Sequence, residues 1–529
     1  MSESLNASSL DRIEQLTAIS IELSTEKDTA KVLDMILDGA RMLTGADGGV
    51  LCTLTENKHL KVESVRVDSL GFRMGGSSGE PIPFEPVALF NPDGSHNMAL
   101  VATSCANSRA AINIADVYAA EGYDFSETRA FDQRLGYRSQ SFLTIPMKNH
   151  LDDIIGVLQL INATDPLSGE VVPFSSGDQR LVMALASQAS VALTQKHLIE
   201  GQKQLFDSLI RVIATAIDEK SRYTGGHCSR VPIITMMLAD AASACSDGPL
   251  KDFTLDENGR EELRISAWLH DCGKSATPEH IMDKATKLET INDRIELVET
   301  RFEIIRRDMT RVATGGSDAE QSQREQLEED LQFLKRCNVG MNFMVSQDIG
   351  RVKQIARSYC WESVAGERRS VLTEDELQNL TIPKGTLTDA ECGKINDHVV
   401  VTTNILKSLA LPAQLRNIPD FAGAHHERLD GKGYPARLTK DEIPMQARIM
   451  AVADIFEALT AADRPYKKGN SLSEALKIMR AMANEGHIDP DLFRLFLEKE
   501  IDLRYAQQYL PEEMIDHADR SGLMSEYVS

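Results

Sequence analysis

The sequence predicts a multidomain protein in which an α+β domain is followed by a long connecting helix and then by an all-α domain with an inserted helical hairpin. The length of 529 residues is enough for several domains that each bury a core. The strand-like apolar runs lie between residues 49 and 161, whereas apolar residues spaced three and four apart dominate after residue 205. This change of period along the chain is the basis for the predicted fold class.

The α+β domain is predicted over residues 8–198. Apolar residues at helical spacing cover residues 10–43, and short apolar runs typical of strands follow at 49–54, 59–62, 142–146 and 155–161. Helices come first, strands next and a long helix last, an order that favours an α+β arrangement over an alternating α/β one.

The connecting helix is predicted over residues 199–222. No proline occurs in residues 178–220, and the apolar residues in this region follow steps of seven, four and three, namely Leu198, Leu205, Leu209, Val212 and Ala216. Such spacing is typical of a coiled-coil seam and favours a homodimer. The alternative is a helix that packs on its own domain.

A helical hairpin is predicted over residues 291–336. Apolar residues alternate steps of four and three from Ile291 to Val312, and Gly315, Gly316 and Ser317 then interrupt the pattern. The same spacing resumes at Leu327, which favours two helices folded back on each other.

Composition excludes some classes of function. The 57 basic and 80 acidic side chains give a formal charge of −23, which argues against binding to nucleic acid polymers. No apolar run approaches the ~20 residues of a membrane-spanning helix, and the first residues do not resemble a secretory signal. The eight cysteines form no C-x-x-C pair, so we expect a protein of the reducing cytoplasm that does not bind membranes.

Residue types that bind metals concentrate between residues 227 and 454. Five of the 12 histidines and two aspartates lie there in short motifs, namely His227, His270, Asp271, His398, His425, His426 and Asp454. A single histidine is more often a core or surface residue than a ligand, but adjacent polar pairs in apolar surroundings need partners. Seven such ligands can hold two cations that share one carboxylate, and imidazole with carboxylate suits iron, manganese or zinc.

Two of these motifs resemble the signatures of the HD-GYP phosphodiesterases, a branch of the HD superfamily of metal-dependent phosphohydrolases. They are the HDCGK motif at 270–274 and the HHERLDGKGYP motif at 425–435, and residues 448–460 and 464–467 are also similar to that family. The resemblance covers residues 205–505 and leaves 506–529 as a C-terminal tail. It implies a bacterial enzyme that hydrolyses cyclic di-GMP to linear pGpG, with further hydrolysis to GMP left open.

The resemblance also implies roles for individual residues. One metal ion would be held by His227, His270, Asp271 and Asp454, and a second by Asp271, His398, His425 and His426. Asp271 would bridge the two ions, and Arg464, Lys467 and Glu457 would contact the substrate. Tyr223 occupies the position of a glutamate found in family members with three metal ions, so we expect two divalent ions, iron or manganese.

Lys274 has two possible roles. A pair of metal ions lowers the pKa of a bound water and stabilises the phosphoryl charge, and Lys274 is then implied as a catalytic cation beside them. The alternative is a cation that caps the C-terminus of the helix carrying His270.

The resemblance also defines an insertion of about residues 290–380, which includes the predicted hairpin. Its position before His398 leaves four roles open. It could cover the active site, mediate dimers, recruit a partner or be a tolerated surface insertion.

The first domain resembles a GAF domain, a module that senses small molecules or dimerises. The resemblance is carried by residues 112–118, 135–138, 142–146 and 156–162. Asn162, Phe174 and Asp178 match the pattern of GAF domains that bind cyclic nucleotides, whereas Ala163 and Gln179 replace a Lys and a Glu of that pattern. An unidentified small molecule is the expected ligand, and regulation of the enzyme through the long helix is the expected consequence.

Two alternatives to cyclic di-GMP hydrolysis stay open. The substrate could be another cyclic dinucleotide such as cyclic GMP-AMP. The protein could also be a receptor that binds cyclic di-GMP without hydrolysis and acts through protein interactions.

Overall fold

The computed structural model describes residues 2–220, 225–312, 318–340, 343–461 and 469–524. It divides into two compact units, Met1–Leu205 and Phe206–Ser529. The first unit is α+β and the second is almost entirely helical, so the predicted fold class is confirmed.

The strands of the first unit form one antiparallel sheet. They are β1 (Ala46–Leu54), β2 (His59–Val67), β3 (Phe72–Gly75), β4 (Val87–Ala88), β5 (Ile112–Ile114), β6 (Phe142–Lys148), β7 (Ile154–Thr164) and β8 (Val171–Val172). The strand order is β3-β2-β1-β7-β6-β5, and β4 pairs with β2 while β8 pairs with β7. Each pairing is antiparallel, so neighbouring strands can be joined by short connections.

Helices cover both faces of this sheet. They are α1 (Ser2–Thr25), α2 (Thr29–Thr44), α3 (Val101–Ser108), α4 (Ser126–Leu135) and α5 (Ser176–Asp218). Successive side chains of a strand point to opposite faces. Leu143 and Ile145 therefore pack against α1, α2 and α5, whereas Phe142 packs with Val101 of α3.

The second unit consists mainly of helices. They are α6 (His227–Ser243), α7 (Glu257–Leu269), α8 (Glu279–Met282), α9 (Ile295–Val312), α10 (Asp318–Asn338), α11 (Ser346–Ser358), α12 (Glu374–Leu380), α13 (Asp389–Asn396), α14 (His398–Lys407), α15 (Ile418–Gly423), α16 (Met445–Thr460), α17 (Leu472–Asn484), α18 (Pro490–Glu498), α19 (Ile501–Tyr509) and α20 (Arg520–Met524). Its largest core is formed by α6, α7 and α16–α19, with Leu238, Leu263, Phe456 and Phe493 fully buried. The histidine and aspartate motifs singled out in the sequence lie within or next to helices of this unit.

The stretch between residues 290 and 380 has a hydrophobic core of its own. Val298 and Phe302 of α9 pack with Leu331 and Leu334 of α10, as expected for a helical hairpin. The same core extends to α11 and α12. A short antiparallel pair, β9 (Cys360–Glu362) and β10 (Arg368–Ser370), lies between these helices and was not predicted, because each strand has only three residues.

Two buried lysines, Lys284 and Lys287, link the chain before this stretch to the chain at its end. Lys284 donates to Asn379 at 2.7 Å and to both carboxylate oxygens of Glu391 at 2.9 Å. Lys287 donates to the carbonyl oxygens of Leu380 and Ile382 at 3.3 and 2.7 Å. Burial lowers the pKa of Lys287, so its contacts with carbonyl oxygens offset part of the cost of an interior amine.

Removing the Phe302 ring should destabilise the stretch between residues 290 and 380. Phe302 is 1% exposed in its core, so Phe302→Ala should cost about 3–5 kcal/mol through lost burial and a cavity. Denaturant unfolding followed by the fluorescence of Trp361, which packs on the same core, measures the effect. Leu297→Ala is the matched control on the same helix, because Leu297 is 53% exposed and should cost about 0.5 kcal/mol or less. An equal loss of unfolding free energy in the two variants would contradict the assignment of Phe302 to a buried core.

Candidate metal centre and active site

The first motif, His270-Asp271, lies where helix α7 ends. Helix α7 ends at Leu269, His270 follows it, and Asp271 precedes a 3-10 turn over Cys272–Ala276. A Cβ at Gly273 would lie 1.9 Å from the carbonyl oxygen of His398, so only glycine lets this turn approach α14. Thr402 of α14 joins the two segments, since its hydroxyl accepts from the Gly273 N–H at 2.8 Å and donates to the His270 carbonyl oxygen at 3.1 Å.

The remaining predicted ligands come from four other places in the second unit. His227 and His398 are the first residues of α6 and α14, and His425 and His426 follow the end of α15. Asp454 lies in the middle of α16. The structure therefore brings together residues that are spread over more than 220 positions of the sequence.

The carboxylate of Asp271 lies at the centre of these residues. Its Oδ2 atom is 3.3 Å from Nε2 of His227 and 3.3 Å from Nε2 of His270, while its Oδ1 atom is 3.2 Å from Nε2 of His398. Asp454 Oδ1 lies 3.1 Å from Nε2 of His227 and 3.7 Å from Nε2 of His270. The two oxygens of Asp271 thus face two different sets of ligands.

The second set of ligands is formed by three histidines. The candidate ligand atoms of His398, His425 and His426 all lie within 4.8 Å of one another, as do those of His227, His270 and Asp271. The ring centroids of His270 and His425 are 5.0 Å apart, which places the two sets side by side.

Backbone carbonyl groups orient three of the imidazole rings. The Nδ1 atoms of His270, His398 and His425 each donate to the carbonyl oxygen three residues earlier, at 2.7, 2.6 and 2.6 Å. A proton on Nδ1 leaves the Nε2 lone pair free, which is the arrangement found in metal-binding histidines.

Several buried acceptors at the centre lack a hydrogen bond. Among the described residues, no group forms a hydrogen bond with Nε2 of His227, His270, His398 or His425, or with Oδ1 of Asp271. Buried lone pairs that face one another at about 3 Å repel unless a cation lies between them. The residues therefore fit a pair of metal ions, with Asp271 as the shared ligand.

The electrostatics of the site also favour bound cations. Burial opposes ionisation of Asp271, but Lys274 and the histidines hold the pKa of its carboxyl well below the usual range. Burial likewise opposes protonation of His270, yet the neighbouring carboxylates Asp271 and Asp454 raise its pKa to about 9. These carboxylates therefore favour positive charge at this ring, which either a proton or a metal ion can supply. Burial lowers the pKa of His426 to about 4, so this ring is a neutral ligand at pH 7.

Glu457 lies behind His227. Its Oε2 atom accepts a short hydrogen bond from Nδ1 of His227, and its Oε1 atom accepts from Nε of Arg230 at 2.7 Å. The side chain is 1% exposed. The structure therefore places Glu457 against His227, a predicted metal ligand, whereas the resemblance implied a contact with the substrate.

A cavity of about 480 Å³ adjoins the metal centre. Its lining includes His425, His426 and Asp454 together with Tyr434 of the GYP motif. This volume is within the usual range for small-molecule sites.

The GYP loop is held in shape by Glu427, which the sequence analysis did not identify. Its buried carboxylate accepts from the backbone N–H groups of Ala436, Arg437 and Leu438 at 2.6, 3.1 and 2.9 Å. The sequence analysis also missed Thr402 and Arg230. Each forms hydrogen bonds with residues that are distant in the sequence, Thr402 with His270 and Gly273 and Arg230 with Glu457. The only available signal for Glu427 was its place directly after the histidine pair.

Three predicted residues lie outside the described part of the chain. Arg464 and Lys467, expected to contact the substrate, and Tyr223, the basis for expecting two metal ions, all fall in segments that the structure does not describe. Their roles stay predictions.

The GAF ligand candidates make contacts within the first unit. Asn162 is buried, accepts from the N–H of Gln140 at 2.7 Å and donates to the Tyr137 hydroxyl at 2.9 Å. Phe174 lies in the hydrophobic core. Asp178 accepts from the N–H of Ser175 at 2.9 Å near the start of α5, and it pairs with Arg12 at 2.9 Å. These contacts support the fold of the domain, and a ligand-binding role for the three residues stays a prediction.

Comparison with known families identifies both domains. The family model of the GAF domain matches residues 28–193, and that of the HD domain matches residues 373–492. The chain therefore contains a GAF domain followed by an HD domain, as the two resemblances implied. Among the described residues, no helix is both long and apolar enough to span a bilayer.

The relatives of this chain include phosphodiesterases for two cyclic dinucleotides. A cyclic di-GMP phosphodiesterase of Pseudomonas aeruginosa is 40% identical over 114 residues, which are 22% of this chain and 26% of the relative. The 3'3'-cGAMP-specific phosphodiesterase 3 of Vibrio cholerae is 37% identical over 151 residues, 28% of this chain and 30% of the relative. A cyclic di-GMP phosphodiesterase of Thermotoga maritima is 36% identical over 124 residues, 23% of this chain and 33% of the relative. The chain thus spans about a third or less of the length of each.

Removal of the shared carboxylate should empty the centre. Asp271→Ala should lose both metal ions, because each of the two ligand sets loses an oxygen. Mass spectrometry of protein purified without chelators should give about two ions per chain for the wild type and close to none for the variant. Asp240→Ala is the matched control, since Asp240 is exposed and pairs with Arg260 on the surface. A wild type with three stable ions, or a variant that retains two, would contradict this assignment.

Proposed function

We propose that the second unit hydrolyses a phosphodiester bond of a cyclic dinucleotide, with cyclic di-GMP as the first candidate substrate and pGpG as the product. The observation that carries this proposal is the convergence of six predicted ligands with the seventh, Asp271, where four Nε2 atoms have no hydrogen-bond partner among the described residues. The names of the relatives support a cyclic dinucleotide as the substrate class.

Two divalent metal ions, iron or manganese, are the proposed cofactors. When bound, they would lower the pKa of a water molecule and offset the charge of the phosphoryl group. His227, His270 and Asp454 would hold one ion, and His398, His425 and His426 the other, with Asp271 between them. Imidazole and carboxylate ligands suit these metals better than calcium or magnesium.

Lys274 is the proposed catalytic cation. Its ammonium lies 2.5 Å from Oδ2 of Asp271. Burial opposes protonation, but Asp271 and Asp454 raise the pKa of Lys274, so it stays charged at neutral pH. From this position the ammonium would stabilise negative charge on the phosphoryl oxygens and give a proton to the leaving oxygen. Because Lys274 contacts the shared ligand, this role is favoured over a helix cap.

Glu457 is proposed to position His227 and not to contact the substrate. Both of its carboxylate oxygens are occupied, one by His227 and the other by Arg230. A carboxylate on Nδ1 of a metal-binding histidine fixes the orientation of the ring and increases the basicity of Nε2.

A cyclic GMP-AMP is the second candidate substrate. Three relatives are 3'3'-cGAMP-specific phosphodiesterases of Vibrio cholerae, with identities of 37%, 44% and 45% over their matched segments. These values are similar to those of the cyclic di-GMP phosphodiesterases, so both dinucleotides belong in the first assay.

An anaerobic assay tests the function. The full chain, loaded with manganese or ferrous iron, should convert cyclic di-GMP to pGpG, as resolved by chromatography, and His270→Ala should lower the rate by at least about a hundredfold because one ligand is lost. His280→Ala is the matched control, because His280 is an exposed residue of the short helix α8 and is not among the predicted ligands. Binding of cyclic di-GMP without any hydrolysis in either metal would instead support the receptor alternative and overturn the proposed reaction.

The GAF domain is proposed to bind a small molecule and to regulate the enzyme through a dimer of helix α5. Helix α5 runs from Ser176 to Asp218, and its seam residues Leu198, Leu205, Leu209 and Val212 are each more than half exposed. A row of exposed apolar side chains at heptad spacing is unfavourable in water unless a second helix covers it. The eight free cysteines fit the proposed cytoplasmic location.

Charges in the seam should separate the dimer. The double variant Leu198→Asp/Leu205→Asp places two carboxylates per chain in the proposed interface, where burial of like charges is unfavourable. Light scattering should show a fall from twice the chain mass to the chain mass. Lys203→Asp is the control, because Lys203 is an exposed residue of the same helix outside the seam. A wild type that is already monomeric would contradict the dimer.

A further inference from the structure

The cavity beside the metal centre is lined by residues that the metal ions do not use. Besides His425, His426 and Asp454, its lining includes Arg428 and Lys432 of the GYP loop. A substrate whose scissile phosphate lies at the metal ions would therefore extend its remaining parts toward this loop.

Asp430 holds the guanidinium of Arg428 by one of its edges. Nε of Arg428 donates to Oδ1 of Asp430 at 3.0 Å, and Nη2 donates to Oδ2 at 2.8 Å. The side chains are 26% and 16% exposed. This paired geometry fixes the plane of the guanidinium, so little side-chain entropy remains to be lost when a ligand binds.

The opposite edge of the guanidinium remains available. Among the described residues, no group accepts a hydrogen bond from Nη1 of Arg428, and Nη2 keeps a second N–H. These two donors lie side by side in one plane, which matches a pair of neighbouring acceptors on a ligand.

The backbone around Arg428 is held from two sides. The N–H of Asp430 donates to the Gly486 carbonyl oxygen at 3.0 Å. A Cβ at Gly433 would lie 2.4 Å from the backbone nitrogen of Arg428, so glycine allows the loop to fold closely on itself. These contacts hold the backbone of the loop at Arg428.

The charge of this pair favours a neutral acceptor over a phosphate. Asp430 is ionised, since its bond with Arg428 lowers the pKa of its carboxyl to about 2, and the pair has no net formal charge. The carboxylate would repel a phosphate next to it but not an uncharged base. Guanine offers O6 and N7 as two neighbouring acceptors, whereas adenine offers N7 beside an amino group that cannot accept.

We propose that Arg428, oriented by Asp430, donates two hydrogen bonds to O6 and N7 of one guanine of the substrate and so makes the cavity selective for guanine-containing dinucleotides. This inference rests on the proposed phosphodiesterase function and adds the residue that determines base specificity. Lys432 lies beside the pair, 3.5 Å from Asp430, but its side chain is 77% exposed and a single ammonium lacks the two parallel donors.

The test compares four substrates with the full, manganese-loaded chain under anaerobic conditions. They are cyclic di-GMP, 3'3'-cGAMP, cyclic di-AMP and bis(p-nitrophenyl) phosphate, which has no base. Each kcat/KM is divided by that of bis(p-nitrophenyl) phosphate, so that changes at the metal centre cancel. The wild type should prefer the two guanine-containing dinucleotides over cyclic di-AMP by at least about tenfold.

Two substitutions of Arg428 separate base recognition from charge. Arg428→Lys keeps the charge and removes the paired donors, so it should reduce the guanine preference about tenfold, mainly through KM. Arg428→Met should do the same, and metal content verifies that the centre is intact. Lys432→Met is the matched control, because it removes a neighbouring cation of the same loop. It should affect the three dinucleotides equally.

The outcomes distinguish this inference from the proposed function. A uniform loss for all three dinucleotides in Arg428→Lys would show a phosphate contact or support of the loop and would overturn the inference. Equal rates of the wild type on all three dinucleotides would also overturn it while leaving the phosphodiesterase function intact. Hydrolysis of bis(p-nitrophenyl) phosphate alone would overturn both.

Discussion

The structure of the second unit depends on one buried carboxylate, that of Asp271, which lies against three imidazole rings. A carboxylate removed from water is costly unless positive charge surrounds it. Lys274 supplies one cation on Oδ2, whereas Oδ1 has no hydrogen-bond partner among the described residues. The site is therefore suited to hold further cations. Helices α6, α7, α14 and α16 bring His227, His270, His398 and Asp454 together around this carboxylate.

Close packing makes this convergence possible. Gly273 allows the turn after Asp271 to contact the backbone of α14, and Thr402 bonds to both segments. Because this turn and α14 approach so closely, Nε2 of His398 lies 3.2 Å from Oδ1 of Asp271. On the other side, Glu427 ties the GYP loop to its own backbone, which holds His426 and Tyr434 at the cavity. The predicted metal ligands and the lining of the cavity thus share one support.

The structure adds contacts of single residues that the motifs do not specify. Glu457 was assigned to the substrate from its place in a motif, yet it bonds to His227, which is 230 positions away in the sequence. Asn162, Phe174 and Asp178 match a ligand pattern and contact a turn, a core and a helix start, and their ligand-binding role stays a prediction. A motif indicates which residue types occur together, but it does not specify which way a side chain points.

The sequence by itself determined the fold class, the seven metal-ligand candidates and the helical hairpin, because periodicity and short motifs are local properties of the chain. Only the tertiary structure decided that the two oxygens of Asp271 face two different ligand sets. It also decided that Glu457 bonds to His227 and that Asp430 pairs with one edge of the Arg428 guanidinium and leaves another edge unpaired within the described part of the chain. These features depend on distances between segments far apart in sequence. Such distances are set by how the helices and loops pack, and no spacing along the chain encodes them.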